Sequence, residues 1–474
     1  MQFKQDVRYV VSYASFRSKI DCMLRRYVLP RLARRRPNVV VFNEDTGLAT
    51  IATGSRGARA RSIAAHPGSA SCESQGAPCA TLAALGAVTA AYAEPLAAYH
   101  VRFPSLGGLD QGFVAATDTM VRSFMGTFSA LARRYRIYMI ASGDLAPFTQ
   151  SSDPTDLSLF SDPDLHPRPG TVYVATAPQV YNEVFMWGPR NVRAAGPDVM
   201  RNVVASNLKV PLTPLESEIG FTSGPASGPA AVANLRPYRL PHTRARIGFA
   251  TSLPAFTWGT PPRGVDPCSD TSLYYMRCLN RLGANLVIQD EANPGRWTGP
   301  DGNGIEKWQP LSWMDSTYRT VSDRSVRFAY NVTAMMVGNL ADLVFDGQSA
   351  ITQRGLHGRG CHYIGNGAFV PGEDQAQFAR YAGRKPLFLA IAPWVVPNGP
   401  RDQLRRVGGE LAPGSGSPLE NDYLETALVA DLPFPVDHRR RDCVGARGRT
   451  RVKRHHHHKR PGTGGRKTSH ARSG

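Results

Sequence analysis

Three segments of the sequence place a chemically reactive side chain at or near the end of an apolar run. Glu44 follows the run Asn38–Phe42 (NVVVF), Lys209 lies with Glu216 in NLKVPLTPLES, and Ser252 ends ARIGFATS. Open α/β sheets build their sites at strand ends, so such side chains can meet. A carboxylate supplies a base, an ammonium group supplies a donor to developing negative charge, and a hydroxyl supplies a nucleophile. Taken singly, each residue is also typical of an ordinary surface or strand-end position.

In this order the segments resemble the carbon-nitrogen hydrolase, or nitrilase, superfamily. In that family a Glu ends an apolar strand, a Lys lies in a K-x-x-L-x-P segment, and a Cys follows an I-G-x-x-I-C strand. Here VVVFNE provides Glu44, LKVPLTPLE provides Lys209, and RIGFATS aligns Ser252 with the nucleophilic cysteine. The resemblance covers about residues 7–350, and its further matches include YRIYMIASGD (135–144), VYNEVFMWGPR (180–190) and LGANLVIQDEANPGRW (282–297).

The resemblance implies hydrolysis of a nonpeptide C–N bond in a small amide, nitrile or carbamoyl compound. It implies that Glu44 is the base, that Lys209 is the donor to the oxyanion, and that position 252 holds the nucleophile. A second glutamate near the lysine often assists, and Glu216 is the candidate, although it follows Lys209 by seven residues instead of the more common eight. No cofactor or metal is expected, and the partner is a small-molecule substrate.

Serine at position 252 departs from the family pattern. A hydroxyl is a far weaker nucleophile than a thiol at neutral pH, and a lone carboxylate is a poor base for it. Three interpretations remain: the site is inactive and the fold serves binding, Ser252 is a slower nucleophile, or the nucleophile comes from elsewhere, with Cys268 the nearest downstream cysteine. The sequence therefore favours an enzyme, with a catalytically degenerate binding or scaffold protein as the alternative.

The elements that must position these residues alternate between strand-like and helix-like periods, which predicts an α/β fold. Gly54–Ala77 and Thr149–Pro169 are predicted to be loops. The resemblance implies an α-β-β-α sandwich over residues 1–400, and a homodimer or higher homo-oligomer formed by stacked sheets. The predicted strands are Val7–Tyr13, Asn38–Phe42, Ile137–Ala141, Val172–Thr176 and Val180–Trp187 joined by a short Pro turn, Arg246–Thr251, Leu286–Gln289 and Phe328–Val332, and the predicted helices are Phe16–Leu32, Ala80–Tyr99, Asp118–Arg134 and Thr271–Leu282.

Composition adds a domain boundary. The 474 residues are 42% hydrophobic and 20% charged, as in an ordinary globular protein. Much of the net charge of +19 lies in residues 438–474, which hold thirteen Lys and Arg against the single acid Asp442. This segment has little to bury, so we expect a disordered polybasic tail, preceded by a Pro/Gly-rich extension at 401–437, that contacts polyanions non-specifically through charge.

Four further features carry no predicted function. The tract His455–His458 is typical of low-complexity sequence, and HGRGCHY, with His357, Cys361 and His362, of a Gly-rich loop. Asn331 begins a glycosylation motif by chance, inside a strand pattern. Seven irregularly spaced cysteines without a CxxC pair indicate no disulfide framework.

The sequence also predicts a location for the protein. The longest apolar stretch, Cys79–Ala93, is shorter than the ~20 residues of a membrane span and is expected to be a buried helix. The N-terminus lacks the apolar region of a secretory signal. Together with the cysteine pattern, these features predict a cytoplasmic protein without a membrane span.

Overall fold

The computed structural model describes residues 1–66, 79–293, 314–355, 387–392 and 425–436, all within one compact unit, Met1–Val444. Residues 438–474, which include His455–His458, and the HGRGCHY segment lie outside the described residues.

Strands and helices alternate along this part of the chain. The strands are β1 (Lys4–Gln5), β2 (Val39–Val41), β3 (Tyr138–Leu145), β4 (Phe148–Ser151), β5 (Val172–Ala175), β6 (Tyr181–Trp187), β7 (Val203–Leu208), β8 (Tyr238–Arg239), β9 (Arg246–Phe249), β10 (Leu286–Glu291), β11 (Tyr330–Met335), β12 (Val337–Leu340), β13 (Leu343–Asp346), β14 (Ala350–Gln353) and β15 (Leu387–Ile391). The α-helices are α1 (Tyr13–Met23), α2 (Ala58–Ala65), α3 (Cys79–Ala91), α4 (Ala93–Arg102), α5 (Gln111–Ala115), α6 (Thr117–Met120), α7 (Gly126–Tyr135), α8 (Pro154–Phe160), α9 (Pro214–Ile219), α10 (Gly228–Asn234), α11 (Thr271–Arg281) and α12 (Arg319–Ser322).

Two mixed sheets form the centre of the molecule, with strand orders β15-β14-β11-β10-β9-β8 and β2-β3-β6-β7. Strand β10 is parallel to β9 and β11 in the first sheet. In the second, β2 is parallel to β3, and β6 is antiparallel to both β3 and β7, so β7 runs in the same direction as β3. The C-terminal ends of β2, β3 and β7 therefore lie at one edge, with Glu44, Asp144 and Lys209.

Three groups of buried apolar side chains hold these layers together. Between the two sheets, Ile140 and Met186 share a core with Ile288. On the outer face of the β2-β3-β6-β7 sheet, Phe128 of α7 packs against Trp187. On the outer face of the other sheet, α11 buries Tyr275 and Leu279 with Val287 of β10. The fold is thus mixed α/β, as predicted, with two facing sheets and helices outside each; burial of apolar area is the main force that stabilises such stacking.

The predicted strand Val7–Tyr13 is wrong. Residues Val7–Val10 form a 3-10 helix whose first turn is capped by the Asp6 side chain, and Ser12 begins α1 through a capping box with Ser15. Two caps within six residues satisfy the free N–H groups of helical turns, and this outweighs the β propensity of the run.

Both predicted loops contain regular structure. The range Gly54–Ala77 includes α2, and the range Thr149–Pro169 includes most of β4 and all of α8, whose first N–H groups are capped by Asp153. Strands β5 and β6 are not paired with each other, because β5 pairs with β4 while β6 lies between β3 and β7. The other predicted strands and helices correspond to elements of the structure, several of which are longer or divided.

The expectation about the cysteines is also wrong. Cys268 and Cys278 form a disulfide with their Cα atoms 4.7 Å apart, and Cys79 is disulfide-bonded as well. Sequence spacing could not show this bond, because it depends on the 3-10 turn Pro267–Ser269 folding back against α11. Disulfides persist mainly in oxidising compartments, so one reason for predicting a cytoplasmic location no longer holds.

Two further segments bear on the sequence expectations. Residues 425–436, within the predicted extension 401–437, contact the body of the fold: Thr426 bridges to Gln2, and the Tyr330 hydroxyl donates to the Pro433 carbonyl at 2.7 Å. In the described residues no single helix is long and apolar enough to cross a membrane, and α3 and α4 meet that test only as a pair bent by 79°.

Candidate active site

Glu44 is held in a tight turn that follows β2. The Asn43 amide donates to the Glu44 carbonyl at 2.7 Å, and the Thr46 hydroxyl donates to the Asn43 carbonyl at 2.7 Å. Asp45 has φ of 55°, and its N–H donates to the Ser142 hydroxyl of β3 at 3.0 Å. The turn directs the Glu44 carboxylate inward, where the residue is only 1% exposed.

The Lys209 ammonium group lies between two glutamates. Its Nζ is 2.7 Å from Glu44 Oε1 and 2.7 Å from Glu216 Oε2. Asn182 Nδ2 also donates to both carboxylates, at 2.9 Å to Glu44 and 2.8 Å to Glu216. The remaining Glu44 oxygen, Oε2, accepts from the Ala292 N–H at 2.8 Å. The structure therefore brings together three of the four predicted site residues.

The capping box of α9 orients Glu216. Thr213 is the N-cap, and its N–H and hydroxyl both donate to Glu216 Oε2 at 2.8 Å. Residue 216 is the third residue of α9, so its side chain reaches back over the helix start towards Lys209. This local geometry lets a glutamate seven positions after Lys209 reach its ammonium group.

Glu44, Lys209 and Glu216 differ in how the site shifts their pKa values. Burial raises the pKa of Glu44 to about 7, although Lys209 opposes this shift. Burial alone would lower the pKa of Lys209, but Glu44 and Glu216 raise it above its ordinary value. For Glu216, burial is outweighed by Lys209, which holds the pKa of that carboxyl below its ordinary value. At neutral pH Lys209 and Glu216 are thus charged, while Glu44 can both take up and release a proton, as a general base must.

Ser252 follows β9 in a strained backbone conformation. Its φ of 54° and ψ of −118° are rare for any residue other than glycine, and such outliers concentrate at functional sites. Its N–H donates to the Asp290 carbonyl at 2.9 Å, and its hydroxyl donates to Asn293 Oδ1 at 3.2 Å. Asn293, which accepts from Ser252, directly follows Ala292, and the Ala292 N–H donates to Glu44. Ser252 and Glu44 thus contact neighbouring residues of the same segment.

The hydrogen bond of the Ser252 hydroxyl thus goes to an amide oxygen and not to the carboxylate of Glu44. Cys268 is removed as a free nucleophile because its sulfur is bonded to Cys278. Among the described residues there is no group of three or more His, Cys, Asp or Glu side chains that could hold a metal ion.

Glu44, Lys209 and Glu216 line a cavity of about 360 Å³. Asp144 and Asn293 also line it, and sequence analysis assigned no role to either of them or to Asn182. Asn182 lies opposite Asp144 in the β3–β6 register. The matched segments VYNEVFMWGPR and YRIYMIASGD contain Asn182 and Asp144, so the sequence marked their strands without indicating what the side chains contact.

Asp144 is buried without compensation. It is 1% exposed, and within the described residues neither carboxylate oxygen has a hydrogen-bond partner. Burial raises the pKa of Asp144 well above its ordinary value, and Glu216 and Glu44 raise it further. A proton retained on this carboxyl avoids the large cost of an unpaired buried charge.

We expect Asp144→Asn to become more stabilising as the pH rises from 5 to 8. In the wild type, the stability that protonated Asp144 contributes is fully present below the ordinary pKa of 3.8. It is lost as the pH rises towards the raised pKa of Asp144 in the folded state. Each pH unit in that interval costs about 1.4 kcal/mol. Asparagine has no proton to release, so urea unfolding should show the stability of Asp144→Asn rising relative to that of the wild type across this interval.

The exposed carboxylate of Asp431 provides the control, since Asp431→Asn should change the free energy of unfolding by less than about 0.5 kcal/mol at either pH. An Asp144→Asn effect that is the same at pH 5 and pH 8 would contradict a raised pKa.

Comparison with known proteins gives structural neighbours only. No family model matches the chain, and no curated protein matches it. The chain is similar to a mutant of the amidase from Nesterenkonia sp. AN1, with 13% identity, a TM-score of 0.35, and coverage of 75% of this chain and 84% of that one. It is also similar to a carbon-nitrogen hydrolase from Helicobacter pylori G27, with 11% identity, a TM-score of 0.37, and coverage of 74% and 78%. Because both TM-scores are below 0.5, the function proposed below rests on the site geometry.

Proposed function

We propose that this protein is a nitrilase-like hydrolase that cleaves the C–N bond of a small amide, with Ser252 as nucleophile. The observation that carries the proposal is the buried Lys209 ammonium group, held between Glu44 and Glu216 at the wall of a cavity. A buried cation costs free energy, and a site that keeps one beside a base with a pKa near 7 has the two groups that amide cleavage needs besides a nucleophile.

Each residue has a defined part in the reaction. The Ser252 Oγ attacks the amide carbonyl while Glu44 takes the hydroxyl proton, and Lys209 donates to the oxyanion that forms. Glu44 then returns the proton to the nitrogen, the C–N bond breaks, and the amine leaves. Water, deprotonated by Glu44, then attacks the ester on Ser252. The C–O bond to Ser252 breaks, Glu44 returns the proton to the serine oxygen, and the carboxylic acid leaves. The hydroxyl must first turn from Asn293, to which it donates in this structure.

The same contact supports the second candidate function. The Asn293 amide oxygen accepts a hydrogen bond from the Ser252 hydroxyl but is too weak a base to remove its proton. This hydrogen bond is therefore the one expected if the site binds a ligand without cleaving it. In that case the protein is a nitrilase-fold binding or scaffold protein with a degenerate site. The predicted homo-oligomer, the polyanion contact of residues 438–474 and the cytoplasmic location remain predictions under either function.

Substitutions at Ser252 distinguish the two functions. With a panel of simple primary amides, we expect wild-type turnover, loss of that turnover in Ser252→Ala, and equal or faster acylation in Ser252→Cys, because a thiolate forms more readily than an alkoxide. The measurements are steady-state release of ammonia and a mass shift of the acyl-enzyme. Ser18→Ala, at an exposed serine of α1, is the control and should keep wild-type rates.

Two outcomes would contradict the proposal. Equal turnover in wild type and Ser252→Ala would place the nucleophile elsewhere. Absence of turnover in both wild type and Ser252→Cys, with an amide still shifting the melting temperature, would establish the binding function instead.

A further inference from the structure

The cavity beside Lys209 carries charged side chains at one part of its wall only. The charged residues that line it are Glu44, Asp45, Asp144, Lys209 and Glu216, which form one cluster. Asn182 bonds to three of them and Lys209 to two. Charge within this cavity is therefore confined to the end that holds Glu44 and Lys209. Ser252 is not among the described lining residues, but its hydroxyl donates to Asn293, which is one of them.

The rest of the described lining carries no charged side chain. It comes mainly from five places: the 3-10 turn Leu48–Ala52, helix α2, helix α3, helix α9, and the β12–β13 hairpin. Thr81, one of its few polar residues, already donates its hydroxyl to Asp342 at 2.7 Å. The apolar members of the wall include Leu48, Ile51, Ala60, Leu85, Val88, Phe113, Ile219, Phe221, Leu340 and Phe345.

This wall excludes a charged substituent on the substrate. An anionic group placed against α2 or α3 would find no cation there, because Lys209, the one cation among the described lining residues, lies in the charged cluster with Glu44 and Glu216. A cationic group placed against α2 and α3 would find no carboxylate among the described lining residues there, and Asp342, at the start of α3, already accepts from the N–H groups of Ala80 and Thr81 and from the Thr81 hydroxyl. An apolar group, in contrast, gains free energy in proportion to the area it removes from water.

The volume of the cavity sets a lower limit on the size of the apolar group of the substrate. At about 360 Å³, the cavity is more than twice as large as an apolar cavity of about 150 Å³ that accepts benzene. Acetamide would leave most of such a space unfilled. A chain of several carbons is needed to fill the space between the Lys209 end and the α2 and α3 walls.

We propose that the substrate of this site is an amide bearing an apolar chain, which lies between α2, α3 and the β12–β13 turn while the amide group contacts Lys209. This inference rests on the proposed hydrolase function and specifies its substrate class. It leaves open which side of the amide bond carries the chain, and the experiment below separates the two.

The test compares amides of increasing chain length. Along acetamide, butyramide, hexanamide and octanamide, we expect kcat/KM to rise about fourfold for each added methylene until the cavity is filled. Octanamide and its isomer N-hexylacetamide place the chain on the acyl and the amine side, respectively. A strong gain for either isomer over acetamide supports the apolar site and identifies the side. If kcat/KM is the same for acetamide, octanamide and N-hexylacetamide, the proposed apolar site is overturned.

Substitutions by larger side chains that fill the cavity test where the apolar chain of the substrate lies. Val88, in α3, is 1% exposed and lines the cavity, so Val88→Phe should lower the ratio of octanamide to acetamide kcat/KM by about tenfold or more. Ala64→Leu on α2 is a second, smaller filling variant in case Val88→Phe does not fold. Val101→Phe, at a position of α4 that is 83% exposed, is the control and should leave the ratio unchanged. A ratio that is also unchanged in both filling variants would overturn the proposed location.

Binding to Ser252→Ala separates this inference from the hydrolase function. If wild type hydrolyses amides without regard to chain length, the hydrolase stands and the apolar site is overturned. If no amide is hydrolysed but octanamide binds Ser252→Ala much more tightly than butyramide by calorimetry, the hydrolase is overturned and the apolar site is supported.

Discussion

Replacing Lys209 by methionine should destabilise the protein by about 3 to 5 kcal/mol. The side chain is 2% exposed and pairs with Glu44 and Glu216, so its loss leaves two buried carboxylates without a cation. The expected loss exceeds that for an exposed ion pair because water cannot replace the missing charge. Urea unfolding at pH 7 measures the effect.

The exposed pair of Arg36 and Asp431 is the matched control, and Arg36→Met should cost less than about 1 kcal/mol. The loss in Lys209→Met should be smaller at pH 5 than at pH 8, because without the cation the pKa values of both glutamates rise and protonation neutralises them. Adding Glu216→Gln should restore part of the stability. A loss that neither low pH nor this second substitution reduces would show that Lys209 acts by packing alone.

Glu44→Gln should lower kcat/KM on amides by about 10²- to 10⁴-fold. The substitution keeps the shape of the side chain but removes the base that accepts the nucleophile's proton. In the wild type the base must be unprotonated, and the pKa of Glu44 is raised to about 7, so activity should be low at pH 5, rise through pH 7, and level off above it. This rise should be absent from the residual activity of the variant.

Glu94→Gln, at an exposed acid in the first turn of α4, controls for the loss of one negative charge and should keep the wild-type profile. Melting temperatures of both variants separate a catalytic loss from unfolding. A Glu44→Gln variant with near wild-type rates would assign the base to another residue.

Much of the two sheets could be predicted from the sequence, because strands that are buried on both faces consist of short apolar runs. Asn38–Phe42 and Leu286–Gln289 predicted β2 and β10 for this reason. The same reasoning failed at Val7–Tyr13, where the capping side chains of Asp6 and Ser12 determine the structure. Local hydrogen bonds from one or two polar residues can redirect a run whose apolar pattern is ambiguous.

The sequence also indicated which residues to examine for chemistry. Glu44, Lys209 and Glu216 meet in the structure, and their spacing along the chain, 165 residues between the first two, shows that only strand order and direction bring them together. Ser252 was placed at the end of β9, but its strained backbone and its hydrogen bond with Asn293 were not visible in the pattern. Its role as nucleophile stays a prediction.

By itself, then, the sequence determined the alternation of strands and helices and the polar residues that follow the apolar strands, because both are encoded over a few neighbouring positions. Only the tertiary structure decided which partners those residues have. The contacts of Asn182 with two glutamates, the isolation of Asp144 and the Cys268–Cys278 bond depend on elements that meet across the fold. The apolar cavity is built from residues between Val7 and Phe345, and its shape follows from packing that no local pattern contains.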